Sequence, residues 1–211
     1  MHQEIETQNW VRKEHFAFFK EFDEPFFGIN ADIEIGPAVI YCKQKNIRLF
    51  HYYLFQTLRA LNRIDEFRTR IVDDKPVIFD KIHASSTISR PDKTFGFSFI
   101  PFSDDFSAFS ESVSKETEEV ASVSGLRMTE NTSRTDVIHL SVLPWIRFTS
   151  VSHARHFAYR DSVPKITFGK IYESGNKQLI PVSVHAHHGL MDAWHVAEFY
   201  RIFSELLTEK V

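Results

Sequence analysis

The final third of the chain changes its hydrophobic period within a few residues, and this change constrains how that third can fold. A strand is predicted at 178–188, and within it residues 182–187 alternate between apolar and polar side chains, which is typical of a half-buried strand. From residue 196 onward, apolar residues recur every three or four positions, as on a core-facing helix. One strand face carries Val182, Val184, Ala186 and His188, the other carries Ser183, His185 and His187, and the helix stripe consists of Val196, Phe199, Tyr200, Phe203, Leu206 and Leu207.

Four of the 11 histidines lie around the corner between this strand and this helix, at positions 185, 187, 188 and 195. His188 ends the apolar strand face, where desolvation would keep its imidazole neutral and able to accept a proton. Such a group fits a general base, although a hydrogen-bonded core histidine is the simpler alternative. Asp192 is expected to cap the helix that follows.

Two other kinds of site are weaker alternatives at this corner. His185 and His187 share a strand face and Asp192 lies nearby, but no third metal ligand follows at a recognised spacing. A serine hydrolase would need a nucleophile elbow, and the sequence contains no Gly-x-Ser-x-Gly. At this point the corner leaves a core histidine and a general base open, and a metal site or a serine hydrolase is less favoured than either.

The rest of the chain predicts strands and helices in mixed order. We expect a two-layer α/β sandwich, in which helices cover a mixed β-sheet, formed as a single domain by residues 1–211. Gly36-Pro37 is expected to end the first strand, and Gly175-Asn176 to join the last two strands as a hairpin. Helices are predicted at 10–22, 49–64 and 105–122, strands at 29–35, 95–99, 137–143 and 165–172, and a hairpin at 68–79.

Charge and cysteine content exclude several classes of function. The net charge of −3 gives no long-range attraction to nucleic acid or to an anionic membrane surface. Cys42 is the only cysteine, so neither an internal disulfide nor a cysteine-cluster metal site can form. The acidic N-terminus and the lack of a long apolar run predict a cytoplasmic protein without membrane spans. The 21 phenylalanines exceed what a plain core needs, so some are expected to line a pocket or a subunit contact, although core packing is the alternative for most of them.

Six stretches of the chain resemble one family of enzymes in both order and spacing. Residues 187–192 fit the His-His-x-x-x-Asp signature of coenzyme A-dependent acyltransferases, which dihydrolipoamide acyltransferase cores and peptide-synthetase condensation domains share. The other five stretches narrow the resemblance to the chloramphenicol acetyltransferase family. They are NWVRKEHF at 9–16, DEFRTRIVDD at 65–74, HLSVLPW at 139–145, ITFGK at 166–170 and WHV at 194–196.

This resemblance implies an acetyl-CoA-dependent O-acetyltransferase that acts on a small hydroxyl-bearing substrate, with chloramphenicol as the first acceptor to consider. It implies that His188 is the general base that removes the proton of the acceptor hydroxyl. It further implies that Ser141 stabilises the tetrahedral oxyanion and that Thr167 helps to hold this intermediate. Acetyl-CoA would be the co-substrate, and no metal is implied.

The resemblance also implies an architecture around these three residues. Arg12 and Asp192 would form a buried structural ion pair that braces the corner without taking part in the chemistry. The family forms homotrimers whose active sites lie at subunit interfaces, and antibiotic resistance is its implied role. The implied acceptor pocket includes Phe18, Phe27 and Phe95.

The acceptor side departs from the family's pattern. His153, Arg155, Asp161 and Lys165 stand where the family has apolar side chains or tyrosine, and Ala193 replaces a usual glycine. When an aryl drug binds in an apolar slot that carries several charged groups, those groups lose their hydration, which costs free energy. A more polar hydroxyl acceptor is therefore an alternative. A ligand-binding homologue without turnover is another. An acyltransferase acting on a lipoyl thiol would need a lipoyl domain and a flexible linker, which this sequence lacks.

Overall fold

Ten strands and six α-helices occur in residues 1–156 and 159–211, the part of the chain that the computed structural model describes. The strands are β1 (His2–Glu4), β2 (Phe26–Glu34), β3 (Thr69–Val72), β4 (Lys75–Phe79), β5 (His83–Ser89), β6 (Phe95–Phe97), β7 (Val137–Val142), β8 (Lys165–Phe168), β9 (Tyr172–Ser174) and β10 (Lys177–His187). The helices are α1 (Lys13–Phe19), α2 (Gly36–Lys45), α3 (Leu49–Leu61), α4 (Asp65–Arg68), α5 (Phe106–Ser122) and α6 (Ala193–Leu206), and a 3₁₀ turn spans Glu130–Ser133.

Seven strands form one mixed sheet in the order β2-β10-β8-β7-β5-β6, with β9 paired to β10. β7 runs parallel to both β8 and β5, whereas the other pairs are antiparallel. A separate three-stranded sheet has the order β1-β4-β3. The prediction of an α/β fold built on a mixed sheet with helices is confirmed.

Helices α2, α3, α5 and α6 pack against one face of the large sheet and enclose the core with it. The core forms there because one face of each central strand is apolar, and the stripe of α6 predicted from its period is buried as expected. Among the described residues, no helix combines the length and the apolar character that crossing a bilayer requires. The core face of the strands includes Ile138, Leu140, Ile166, Phe168, Val182, Val184 and Ala186.

Several elements differ from what the hydrophobic pattern predicts. The strand predicted at 165–172 is divided into β8 and β9, the helix predicted at 10–22 is limited to α1, and β1 and α4 are not predicted at all. Gly36-Pro37 ends strand β2 as expected, but it also begins helix α2, because proline is compatible with the first turn of a helix. Strand β5 escapes prediction because its sequence alternates small and hydroxyl side chains, with Ala84 and Ser86 buried and Ser85 and Thr87 half-buried. The missing apolar signal has a physical origin, since one face of β5 borders a cavity.

Arg70 fastens the small hairpin to the strand that will carry Ser141. Its fully buried guanidinium donates to the backbone oxygens of Thr135 and Val137, at 2.8 and 2.7 Å. It also donates to the backbone oxygens of Phe67 and Thr69, at 2.8 and 2.7 Å. Burial lowers the pKa of Arg70 to about 9. These bonds hold the start of β7 in place.

Candidate active site

The corner between β10 and α6 is fixed by a helix cap. β10 ends at His187, one residue before the predicted end, and α6 begins at Ala193. Asp192 Oδ1 accepts a hydrogen bond from the backbone N–H of Trp194 at 3.1 Å. In return, the backbone N–H of Asp192 donates to His195 Nδ1 at 3.1 Å. The predicted cap at Asp192 is therefore confirmed, and it closes as a reciprocal capping box.

Arg12 ties the N-terminal segment to this corner. Its Nη1 donates to Asp192 Oδ2 at 2.9 Å, and its Nη2 donates to the backbone oxygen of His188 at 3.0 Å. Arg12 is buried, whereas the Asp192 side chain is 37% exposed. Burial acts to raise the pKa of Asp192, but the hydrogen bond from Arg12 and the nearby His195 outweigh it and leave that pKa lowered.

His188 lies just past the strand, between two phenylalanine rings. Its imidazole stacks on Phe19 at a centroid distance of 4.2 Å and an interplanar angle of 11°, and it meets Phe27 at 4.7 Å. The backbone N–H donates to the carbonyl oxygen of Pro25 at 2.8 Å. Nδ1 is buried and has no hydrogen-bond partner among residues 1–156 and 159–211. Packing thus holds the imidazole ring in place, and its Nδ1 makes no hydrogen bond within the described residues.

His187 occupies a different environment from its neighbour. It is 3% exposed, and its Nδ1 accepts a hydrogen bond from the backbone N–H of Gly189 at 3.1 Å. Burial, together with the positive charge of Arg155, lowers its pKa from 6.5 to about 4. His187 is therefore a neutral, hydrogen-bonded core histidine that shapes the turn before Asp192.

The burial of His187 predicts that the stability of the folded protein decreases in acid. Because its folded-state pKa is lowered, only the unfolded chain binds the proton between about pH 6.5 and pH 4, so stability falls as the pH falls through that window. We expect His187→Asn, whose amide oxygen can replace Nδ1 as acceptor, to reduce this slope. Urea unfolding at several pH values measures it, and an unchanged slope relative to wild type would refute the assignment.

Ser141 and Thr167 lie side by side on adjacent strands. Ser141 on β7 is opposite Thr167 on β8, which is opposite Ser183 on β10. Thr167 is 1% exposed, and its Oγ1 has no partner in the described part of the chain. Ser141 is half-buried and lines a cavity of about 750 Å³, which we call the Ser141 cavity. Around Ser141, its wall includes Thr87, Phe95, Phe97, Met128, His139 and His153.

His188 and Ser141 of the same chain lie far apart. His188 follows Ser183 by five residues, which corresponds to roughly 17 Å along a strand. Ser141 lies two strands to the side of Ser183, a further displacement of roughly 10 Å. One reacting carbonyl cannot contact both side chains at that separation. The two residues that the sequence places in one site therefore belong to different places on a single chain.

The three predicted pocket phenylalanines divide between these two places. Phe27 contacts His188 directly. Phe18, which is 62% exposed, joins the same region through an edge contact with Phe19 at 5.1 Å. Phe95 lines the Ser141 cavity instead. Each half of the candidate site therefore has its own aromatic surface.

A second large cavity meets the Ser141 cavity. It has a volume of about 760 Å³, and we call it the Lys170 cleft. Arg48 and Lys170 supply positive charge at its wall, Trp145 is 68% exposed there, and none of the described residues lining it is acidic. The two cavities share four lining residues, Thr87, Ser89, Val142 and Trp145. A ligand lying in the cleft can therefore reach the neighbourhood of Ser141.

The charged residues expected on the acceptor side are paired. The Lys165 ammonium contacts the Asp161 carboxylate and donates to the backbone oxygen of Val163 at 3.2 Å. Arg155 donates to Glu24 at 2.8 Å and lies over the ring of Phe26 at 3.6 Å. The desolvation cost expected from these charges on binding an aryl drug stays a prediction, and the structure adds that Lys165 and Arg155 each already have a carboxylate partner. Their partners come from segments distant in sequence or from a turn, which the sequence pattern does not reveal.

His153 is the exception among these acceptor-side residues. Its ring meets that of His185 edge to face at 4.8 Å, and its Nε2 is buried without a partner in the described ranges. Within those ranges, no group of three or more histidine, cysteine or carboxylate side chains is arranged to hold a metal ion.

Sequence reasoning missed three residues that line the two cavities, namely Thr87, His139 and Lys170. His139 could have been found, because it precedes Ser141 by two residues and so shares its strand face.

Comparisons with known proteins agree over nearly the whole chain. The family model described as "Chloramphenicol acetyltransferase" matches residues 1–204. The Escherichia coli "Chloramphenicol acetyltransferase 3" is 27% identical over 98% of this chain and 97% of its own length. The Bacillus pumilus "Chloramphenicol acetyltransferase" is 28% identical over 91% of this chain and 87% of its own.

Solved structures give the same result. A structure titled "chloramphenicol acetyltransferase" superposes with a TM-score of 0.91 at 30% identity, covering 98% of this chain and 100% of its own. The Azotobacter vinelandii dihydrolipoamide acetyltransferase superposes with a TM-score of 0.68 at 12% identity, covering 93% and 86%. The latter likeness concerns the fold alone.

Proposed function

Because this chain belongs to the chloramphenicol acetyltransferase family, a family of acyltransferases, we propose that it transfers acetyl from acetyl-CoA to a hydroxyl acceptor. Chloramphenicol is the first acceptor to test, since the relatives are named for it. The observation that carries this proposal is the pair of large cavities that meet next to Ser141. Two ligands can approach the same side chain from two directions there.

In the proposed reaction, His188 acts as the general base. It takes the proton of the acceptor hydroxyl while the oxygen forms a bond to the thioester carbonyl carbon. Ser141 donates its hydroxyl hydrogen to the oxyanion, and Thr167, whose Oγ1 has no partner in the described residues, helps to hold the intermediate. Collapse of the intermediate breaks the carbon–sulfur bond, and the proton held by His188 leaves with the thiolate as free coenzyme A thiol.

The Lys170 cleft fits acetyl-CoA in its chemistry. The phosphates of coenzyme A need positive charge, which Arg48 and Lys170 supply, and its adenine can stack on an exposed aromatic ring such as Trp145. The pantetheine arm suits the apolar wall formed by residues such as Val142 and Ile171. We therefore assign the cleft to the co-substrate and the Ser141 cavity to the acceptor.

Formation of the complete site requires a second copy of the chain. Since His188 and Ser141 of one chain are separated by roughly 20 Å on strand geometry, the base must come from a neighbouring copy. A ring in which each copy offers His188 to the Ser141 cavity of the next satisfies this requirement. We propose the homotrimer implied by the resemblance, in which the Arg12–Asp192 pair braces each His188 corner.

The direct test is release of thiol from acetyl-CoA when chloramphenicol or another alcohol is added. We expect acceptor-dependent release, and we expect Ser141→Ala to lower kcat about 10²–10³-fold, because one oxyanion donor is lost. Ser133→Ala, at an exposed position in the 3₁₀ turn, is a matched control that should keep wild-type kcat. Absence of acceptor-dependent release with every alcohol would favour a ligand-binding homologue over an enzyme.

A further inference from the structure

The wall of the Ser141 cavity is divided into an apolar and a polar part. Phe95, Phe97 and Met128 supply aromatic and aliphatic surface. The remainder near Ser141 comes from hydroxyl and imidazole side chains. Those from β5 and β7 lie on one sheet face, and His153 comes from the segment between β7 and β8. These polar residues are Ser85, Thr87, Ser89, His139 and His153.

Strand register places these polar groups in a ladder. Ser85 on β5 is opposite His139 on β7, so Thr87 follows alongside Ser141 two residues further on. Thr87 is also opposite Phe97 on β6. Hydroxyls therefore flank the proposed reaction position on the same face, about one strand spacing from it.

The polar ladder is open to a ligand. The side chains of Ser85, Thr87, His139 and Ser141 are half-buried and make no hydrogen bond within residues 1–156 and 159–211. His153 Nε2 is buried without a partner there. Burial lowers the pKa of His139 and of His153 to about 4, so both imidazoles are neutral. A neutral imidazole donates from one nitrogen and accepts at the other, as a hydroxyl does from one atom.

The cavity offers these hydrogen-bonding groups without a strong charge. None of its described lining residues is acidic, and the ammonium of Lys165 is already paired with Asp161. Lys93 lies at an exposed turn. A ligand with a formal charge gains little here, whereas one with several groups that both donate and accept can satisfy the ladder.

We propose that the acceptor is a neutral polyhydroxylated compound of the sugar or sugar-alcohol type, and that Thr87, His139 and His153 determine this specificity. The inference deepens the proposed function, on which it rests. Chloramphenicol has only two hydroxyls and one amide, so its aryl ring would leave the polar groups that it covers desolvated and unpaired, which opposes its binding relative to a polyol. A polyol pairs with the ladder through its hydroxyls and packs its C–H surface on Phe95 and Phe97.

The experiment compares kcat/KM for chloramphenicol with kcat/KM for D-glucose, N-acetyl-D-glucosamine and D-sorbitol, using thiol release from acetyl-CoA. We expect at least one polyol to exceed chloramphenicol. His139→Phe should lower kcat/KM for that polyol about tenfold and raise it for chloramphenicol about tenfold, so their ratio falls about 100-fold. Thr87→Val should lower the polyol value about tenfold. A chloramphenicol value above all three polyols, or a ratio that His139→Phe leaves within twofold, overturns the inference.

Two controls separate a specificity role from a structural one. His139→Asn keeps a donor and an acceptor and should retain most of the wild-type ratio, whereas a structural defect would lower both acceptors alike. Thr208→Val, at an exposed position beyond α6, repeats the Thr87 substitution outside the cavity and should leave the ratio unchanged. If no acceptor releases thiol, the proposed function fails. Calorimetric binding then decides this inference: polyol affinity above that for chloramphenicol and weakened by His139→Phe supports it, and the reverse order overturns it.

Discussion

His188→Ala is expected to lower kcat for acetyl transfer about 10²–10⁴-fold, because general-base catalysis contributes factors of this size. The imidazole is stacked on Phe19 and beside Phe27, so its loss removes a positioned base and not a flexible surface group. Backbone contacts from Arg12 and to Pro25 do not depend on the side chain of residue 188. The corner should therefore keep its shape in the variant.

Thiol release under saturating acetyl-CoA measures this effect. His15→Ala, at an exposed position of α1, is the matched control and should retain wild-type kcat. Thermal unfolding and a calorimetric measurement of coenzyme A binding establish that the His188 variant is folded. Wild-type turnover in the His188 variant would contradict the proposed mechanism and would leave His188 as a packing residue.

Mixing two inactive variants is expected to restore activity. His188→Ala chains keep an intact Ser141, and Ser141→Ala chains keep an intact His188. In a ring with random assortment of equal amounts, about one quarter of the interfaces combine both intact residues from different copies. Activity should therefore rise to about one quarter of wild type, far above that of either variant alone.

The two variants should be unfolded, mixed and refolded together, and their activity compared with the mean of separately refolded samples. Mixing the Ser141→Ala chain with a chain that carries both substitutions is the control, because no interface in that mixture pairs an intact His188 with an intact Ser141. No gain in the first mixture, with mixed assembly verified by two affinity tags, would show that each site is formed within one chain. That result would refute the shared site.

Much of the fold could be predicted because its signals are local. α3 and α6 have long apolar stripes, and β10 alternates from Val182 to His187, so period alone identifies them. β5 could not be predicted, because its hydroxyl-rich face borders a cavity and its other face uses small residues. Helix α2 could not be predicted, because the Gly36-Pro37 pair both ends strand β2 and begins this helix.

The candidate site shows the same division between local and distant information. The cap at Asp192 involves only residues 192–195, so the sequence predicts it. Neutralisation of Arg155 by Glu24 depends on segments 131 residues apart, and spacing gave no sign of it. The pairing of Arg155 could not be predicted for this reason.

The histidine corner, its helix cap and the α/β character were determined by the sequence itself, since hydrophobic period and capping chemistry act between residues close along the chain. Only the tertiary structure decided how far His188 lies from Ser141 and which polar groups face the same cavity. Both depend on strand order and register, which long-range pairing across the sheet sets. Identical local patterns in another strand order would have placed these side chains differently.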